Sequence, residues 1–419
     1  MIGWTEQQQM IRGMVRDFVE KEVVPHIDDL EYNGMPPYDI LRKLFGAFGM
    51  DELAGANFDK QIAREEAVAR GEEPAESEQE NESPAGPVTE EALDAVAMNL
   101  LPIIEISRHC QGLITAMGVS VGLTAGAIMS KGSLAQKKRY GRDLMTLKKI
   151  GAWAITEPHS GSDAFGAMKA TARRDGQGGY ILNGNKTYIT NGPYADTIVF
   201  ICRLEEEGVA MRDRKIVSFI LDAGMPGLEQ SAPFKKMGIG SSPTGELFLS
   251  DVQAGPERLM GESEDGYGRA GAKTTFSAER SGVAAMALGL VERALEMCLE
   301  YAQTRVQFDQ PIGNYQLIQL KLAKMEVARL NLENLVFRFI ETRAAGRDFS
   351  LAQASAMKLY AAQAAMEVTT EAVQVFGGAG YMRETRVEQL MRDAKILQIY
   401  AGTDEMQVVA IARDLMGRQ

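Results

Sequence analysis

Histidine, cysteine and positive charge are scarce in this chain. Of 419 residues, three are histidine and three are cysteine, Cys110, Cys202 and Cys298, far apart and in no ligand spacing. That argues against a disulfide scaffold and a metal site, so the thiols are expected to be reduced and the protein cytoplasmic. Lysine and arginine number 45 against 57 aspartate and glutamate, a formal net charge of -12. Such a balance disfavours nucleic acid or an anionic membrane surface as the main partner. The first residues, MIGWTEQQQMIRGMVRDFVEKEVVPH, contain no basic region leading into an apolar core, so no signal peptide is expected. From His109 to Ser130 there is no Lys, Arg, Asp or Glu, a run long enough to span a membrane. Gln111, Thr115, Ser120 and Thr124 dilute it. Gly118, Gly122 and Gly126 recur at every fourth position, which predicts a buried helix with close backbone approach along one face.

What is present reads as a globular protein of several layers, 45% hydrophobic and 24% charged. Ile11, Met14, Val15, Phe18 and Val23 form a helical stripe that Pro25 should end, and Tyr38 to Phe48 reads as another helix. Residues 71–82, GEEPAESEQENE, are acidic and lack large apolar groups, so 60–90 is expected to be an exposed insertion. After Lys149 come short β-rich runs at 150–155, 180–182, 186–190, 197–203, 216–221 and 246–249, separated by turns such as DGQGG and NGN. Helical periodicity then returns, including Leu317 to Arg343 and Leu351 to Phe376. The expected class is α+β in three domains: helical over 1–149, an antiparallel β barrel or sandwich over 150–262, and a helical bundle over 263–419.

Within the last domain, Lys273 to Glu300 reads as one long helix whose apolar stripe is Val283, Met286, Leu290, Ala294 and Met297. Four residues before Val283 stands Glu279. A carboxylate on that stripe loses hydration, which raises its pKa toward that of a base for carbon acids. On this stretch alone, a solvent-facing glutamate favouring the helix dipole is the simpler reading. AITEPHSGSD, Ala154 to Asp163, runs from a strand into a turn of hydroxyl and glycine residues able to hold ring edges or phosphate. QVFGGAGY, Gln374 to Tyr381, lacks the strand and spacing of a nicotinamide fingerprint.

The order and wording of AITEPHSGSD, LNGNKTYITNG, TRVQFDQPIGNYQ, QVFGGAGYMRE and LMRDAKILQIYAGTDEMQ resemble the acyl-CoA dehydrogenases. The resemblance covers the chain from about residue 95 onward. It implies a helical domain, a middle β domain and a C-terminal four-helix bundle, with FAD bound noncovalently in a homotetramer. An acyl-CoA substrate and an electron-transferring flavoprotein as electron acceptor are implied as well. Position by position, it places Trp153, Ile155, Thr156, Ser162, Tyr188 and Thr190 around the flavin. Arg305, Gln307, Phe308 and Gln316 match the segment that reaches a neighbouring subunit's FAD. Gln374, Gly377 and Gly378 match further contacts across that interface, and Thr403 and Glu405 match contacts near the adenosine diphosphate. Ser162 and Phe276 are implied at the substrate, and Arg280 is expected at its thioester end or fixing its own helix.

Three departures qualify this picture. Many members carry a catalytic glutamate before Gly-Thr in the last motif, where this chain has Ala401. In members resembling isovaleryl-CoA and long-chain acyl-CoA dehydrogenases the glutamate instead sits on the helix entering the bundle, and FSAERSG places it at Glu279. The backbone N–H at Ala401 is still implied as a donor to the thioester oxygen. Gln389 replaces a usually basic residue, so a weakened surface or interface contact is expected. The usual P-E-E-Y-G-G turn near residue 55 is missing. The implied activity is α,β-dehydrogenation to a trans-2-enoyl-CoA; a flavin- and acyl-CoA-binding relative without turnover, or an acyl-CoA oxidase, are the alternatives.

Overall fold

The structure, a computed structural model, describes residues 3–72, 88–265 and 269–417, and of residues 269–279 and 281 the backbone alone. Helices come first: α1 Glu6–Phe18, α2 Ile27–Glu31, α3 Tyr38–Ala47, α4 Met50–Ala69, α5 Glu90–Ser107 and α6 Gln111–Met117, then the short α7 Gly126–Lys131, α8 Leu134–Gln136 and α9 Arg142–Met145. Thr5 and Gln8 form a capping box that starts α1. Pro25 does not end the helical path. A π-helical turn over Val19–Val23 and a 3-10 turn over Val24–His26 carry the chain past the missing N–H into α2.

Residues 60–69, expected in the exposed insertion, are the end of α4. Phe58 and Ile62 are buried with Met129, and Glu65 and Glu66 pair with Lys137 and Lys138. A helix with a buried face and ion pairs offsets its ordering entropy, which an acidic loop cannot do. The remainder of that expected insertion falls largely on 73–87, outside the described residues.

The apolar run after His109 is built into the core through Leu113, Ile114, Ala116, Ala125 and Ile128. Its glycines do not pack as expected. A π-helical segment, Gly118–Ala125, breaks the four-residue register, and a Cβ placed on Gly118 or Gly122 would meet no atom within 4 Å.

The sheet holds β1 Gly151–Ala154, β2 Thr171–Arg174, β3 Tyr180–Thr190, β4 Thr197–Leu204, β5 Ile216–Asp222, β6 Leu228–Gln230 and β7 Thr244–Ala254, ordered β1-β4-β2-β3-β7-β6 with β5 on β4. It is mixed rather than antiparallel, since β1 and β2 both run parallel to β4. NGN proves to be a bulge inside β3, not a turn. Gly184 has φ 153°, the register with β7 shifts there, and an added Cβ would sit 2.6 Å from that of Ala170.

The bundle comprises α10 Arg269–Thr304, α11 Gln316–Ala344, α12 Leu351–Phe376, α13 Val387–Leu397 and α14 Asp404–Leu415, with a small hairpin of β8 Val306–Gln307 and β9 Gln310–Pro311. The predicted stripe holds: Val283, Met286, Leu290 and Ala294 are buried in a core shared with α1, α3, α5 and α12. Each large apolar side chain so buried is worth about 1.5–3 kcal/mol.

One junction joins all three regions. The Asp393 carboxylate on α13 accepts from the Ile239 N–H at 2.6 Å, and Glu31 on α2 accepts from the Gly240 N–H at 2.6 Å and the Ser241 hydroxyl at 2.6 Å. There is no room for a side chain at Gly240, where a Cβ would lie 2.2 Å from the Glu31 carbonyl oxygen. Gln389, expected at a surface or interface, is 1% exposed here and donates to the His109 carbonyl and to Asp393. An uncharged amide in that place brings the Asp393 carboxyl a hydrogen-bond donor and no charge.

Burial, with the Glu31 charge nearby, pushes the Asp393 carboxyl up to about 8, while burial pulls the Lys236 ammonium down to about 8. Cys110 donates to Glu31 and Arg392 also faces this group. Native Asp393 therefore keeps a proton that the unfolded chain has released above about pH 4, so stability is lost as pH rises from about 4 to about 8. Lys236 acts in the opposite sense only above about 8. Asp393→Asn keeps an acceptor for Ile239, and its melting temperature should change less between about pH 5 and pH 8 than the parent's. Equal slopes in a calorimetric series would refute this.

Candidate active site

The residues singled out from the sequence lie in two main places, at the ends of β1 and β3 and at the turn between α13 and α14. Beyond Ala154, the chain enters the turn whose Glu157 and Ser160 bridge back to each other. This turn is held from beneath. Lys186, 0% exposed on β3, donates to the Ile155 carbonyl at 2.9 Å and to Glu157 at 2.8 Å, and the same carboxylate accepts from the Lys169 and Ala170 N–H groups. Burial lowers the Lys186 pKa, and Glu157 opposes that shift. Thr187 donates its N–H to the Thr156 carbonyl at 3.0 Å, which fixes the next peptide of the turn.

Immediately after Thr187, the β3 register with β7 shifts again. Tyr188 there has φ 57° and its ring is 69% exposed, 6.0 Å from that of Phe234. Bulges commonly re-aim a side chain next to a site. Core packing does not account for Tyr188. Ile155, Thr156 and Thr190 are half-buried and Ser162 is exposed, and the three hydroxyls have no partner among the described hydrogen bonds. Trp153 lies deeper, in the cluster of Val199, Ile201 and Ile220. Thr156, Ser162 and Thr190 supply hydroxyls and Tyr188 an open aromatic face, groups of the kind that suit a planar ring with polar edges.

The second part is the Ala401–Gly402 turn, where φ is 53° and 84° in succession. A left-handed alanine costs about 1–2 kcal/mol, so its surroundings must hold it. Gln407 Nε2 donates to the Ala401 carbonyl at 3.1 Å and to the Gly402 carbonyl at 2.6 Å. Arg280 Nε lies 3.4 Å from the same Ala401 oxygen, and its Nη1 donates to Ser355 at 2.8 Å. The guanidinium that was expected at the substrate is thus buried against the turn. Among the described residues, no acceptor takes the Ala401 N–H.

Glu279 and Phe276 lie on α10, and their side chains are outside the described residues. The position of Arg280 nevertheless brings this part of α10 to the turn. Thr403 is the N-cap of α14, accepting from the Met406 N–H, and Glu405 is exposed, its pKa lowered by a hydrogen bond from Thr403.

The remaining expected contacts form a group on the bundle. Arg305, Gln307, Phe308, Gln316, Gln374, Gly377 and Gly378 are all exposed. Tyr301 stacks on Phe376 with ring centroids 4.2 Å apart, which sets the first segment beside the second. Phe308 is 89% exposed at a hairpin tip with φ 51°, so it too is not a core residue. Sequence reasoning passed over Lys186, Glu157 and Gln407. All three lie in quoted motifs, and Gln407, four residues after the N-cap, was the one placed to reach back over the turn.

Family models for the acyl-CoA dehydrogenase N-terminal, middle and C-terminal domains match residues 5–62, 152–252 and 266–416. A short-chain-specific acyl-CoA dehydrogenase of Megasphaera elsdenii is 34% identical over 98% of this chain and 98% of its own. The structure of butyryl-CoA dehydrogenase from the same organism is similar with a TM-score of 0.79 and 32% identity, covering 99% of this chain and 100% of that one. A structure described as the electron transferring flavoprotein of Acidaminococcus fermentans gives a TM-score of 0.77 at 32% identity, covering 99% of both chains.

Lys186→Met strands the Glu157 carboxylate in the interior, and loss of one partner of a buried pair costs about 3–5 kcal/mol. Urea unfolding should show that loss, with Glu157→Gln added to it recovering part. A change below about 1 kcal/mol would mean that water reaches the pair.

Proposed function

Since this chain belongs to the acyl-CoA dehydrogenase family, we propose that it converts an acyl-CoA to the trans-2-enoyl-CoA, using FAD, with Glu279 as the base. The observation that carries the proposal is the approach of Arg280, the residue after Glu279, to the Ala401 carbonyl at 3.4 Å. That contact supports the reading by bringing α10, which bears Glu279, to the Ala401–Gly402 turn.

The α-proton of a thioester is barely acidic, so its removal needs stabilisation of the charge that develops on the carbonyl oxygen. The Ala401 N–H is a donor already held in place, and donors of this kind are worth roughly 3 kcal/mol each. Glu279 removes the proton, and its carboxylate keeps it while the bond to the β-carbon gains double-bond character. FAD supplies the acceptor for the β-hydrogen and its electron pair when bound against Thr156, Ser162, Tyr188 and Thr190. Ser162 would also contact the substrate. Thr403 and Glu405 would hold the adenosine diphosphate portion.

A second copy of the chain completes the site in this proposal, within a homotetramer. The exposed Phe308 is accompanied by Leu317, Leu320, Val327 and Leu330 along α11, an apolar stripe exposed in one chain and suited to burial against another. Arg305, Gln307, Gln316, Gln374, Gly377 and Gly378 would contact the neighbour's FAD from there. Electrons would pass on to an electron-transferring flavoprotein, the acceptor that the family resemblance implies.

Glu279→Gln keeps size but cannot accept a proton. Its FAD content should match the parent's, while anaerobic flavin reduction by a panel of acyl-CoA thioesters slows by about 10²-fold or more. A variant reduced at the parent rate would remove Glu279 from the mechanism. Peroxide formed in air at the turnover rate would point instead to an oxidase.

A further inference from the structure

We propose that Gln407 is a positioning residue for this reaction: its side-chain amide holds the Ala401–Gly402 turn so that the Ala401 N–H is presented to the thioester oxygen. The inference rests on the functional reading above and assigns a role to a residue outside the reacting set.

Gln407 is fully buried in the first turn of α14, and its own N–H donates to the Thr403 carbonyl at 3.0 Å. Its backbone is therefore part of a capped helix start, a firm base from which the side chain reaches back. Both Nε2 hydrogens are engaged, one on each of two successive carbonyls, at 3.1 and 2.6 Å. Only the donor end of the amide can face two carbonyl oxygens, so its orientation follows from the geometry. The acceptor end is left without a partner: Oε1 is buried and unbonded among the described residues. An apolar residue of the same shape would avoid that penalty, so packing alone does not explain a glutamine here.

The effect on the turn is specific. With the carbonyls of 401 and 402 both drawn toward α14, the chain holds two successive left-handed residues, and the Ala401 N–H has no acceptor among the described residues. The fit is tight, since a Cβ on Gly402 would lie 2.8 Å from Gln407 Nε2. Arg280 supports the same turn from the opposite helix, but its contact to Ala401, at 3.4 Å, is longer than either made by Gln407. Gln398 and Lys358 hold Asp404 just beyond, so the segment is pinned on both sides of Gly402. A donor aimed at an oxyanion acts only within a few tenths of an ångström of its place, and a misplacement near 1 Å costs about 10²-fold.

The test uses the flavin-loaded protein and acetoacetyl-CoA, a thioester whose enolate can form without turnover and which, beside oxidised flavin, gives a long-wavelength charge-transfer band. In the parent, binding should lower the pH at which the enolate forms. Gln407→Met keeps the volume and removes the donor. It should retain flavin, raise the enolisation midpoint by about 1 pH unit, and lower kcat about 10-fold or more with KM changed less than about 3-fold. Gln407→Glu supplies a second reading, since a carboxyl can donate to those carbonyls only when protonated. Its rate relative to the parent should rise as pH falls. A Gln407→Met protein with the parent's enolisation midpoint and kcat would overturn the inference, as would a Gln407→Glu ratio independent of pH. If the parent itself neither forms the band nor is reduced by any acyl-CoA, the functional reading fails. A parent that does both beside an unaffected Gln407→Met loses only the role of Gln407.

Discussion

Two carboxyl groups from different domains, the half-buried Glu31 and the buried Asp393, grip adjacent backbone N–H groups of a single loop in a third. Most of the site's geometry follows from that grip. α13 carries Asp393 and ends at Leu397, four residues before Ala401, so fixing Asp393 against the β domain also fixes where the left-handed turn is delivered. The arrangement is electrostatically expensive. Ile239, a β-branched residue, is held at φ 45°, and the Asp393 carboxyl is pushed up by burial and by the neighbouring Glu31. Strain and desolvation at one place are tolerable because the surrounding cores are extensive and apolar, with Val15, Leu41, Ile104, Leu290 and Val336 all fully buried.

The same device recurs beneath each half of the site. Lys186 and Glu157 support the turn after β1, and Lys358 with Asp404 supports the start of α14. Such pairs add little net stability over an apolar core, but removing one member is costly, so backbone segments tied to them are held in one conformation. Among the described residues, the hydroxyls of Thr156, Ser162 and Thr190 and the Ala401 N–H have no partner, and with the open ring of Tyr188 they are the groups free to meet a ligand in the proposed site. A planar cofactor and a thioester carbonyl ask for nothing more elaborate from the protein than fixed donors and a base.

Much of this was legible in the chain, and the failures have physical causes. Leu351–Phe376 is the helix its periodicity predicts, and α11 differs by a residue at each end, because a long amphipathic pattern is a local signal. The parallel pairing of β1 and β2 with β4 was missed because pairing partners are distant in sequence and direction leaves no mark in alternation. NGN was read as a turn since asparagine and glycine serve turns and bulges alike. The glycines at 118, 122 and 126 misled because a π-helical turn shifts the face on which fourth residues fall. Gln389 and Gln407 are polar and were given no interior role, yet both are buried, bonded to carbonyls whose positions exist only after the domains have met. Site residues carried over from family resemblance fall into two groups, one on the β domain and one on the bundle. No single-chain periodicity could have joined them.

The central claim is that the Ala401 turn, the helix bearing Glu279 and the β-domain residues Thr156 and Tyr188 serve one site for dehydrogenating an acyl-CoA. The most direct measurement is an anaerobic titration of the purified flavin-loaded protein with acyl-CoA thioesters, following flavin absorbance and the thioester products together. The account predicts that at least one thioester bleaches the flavin, with one trans-2-enoyl-CoA formed for each flavin reduced. A yellow protein that binds the thioesters yet keeps its oxidised spectrum with every chain length and branching pattern would contradict it.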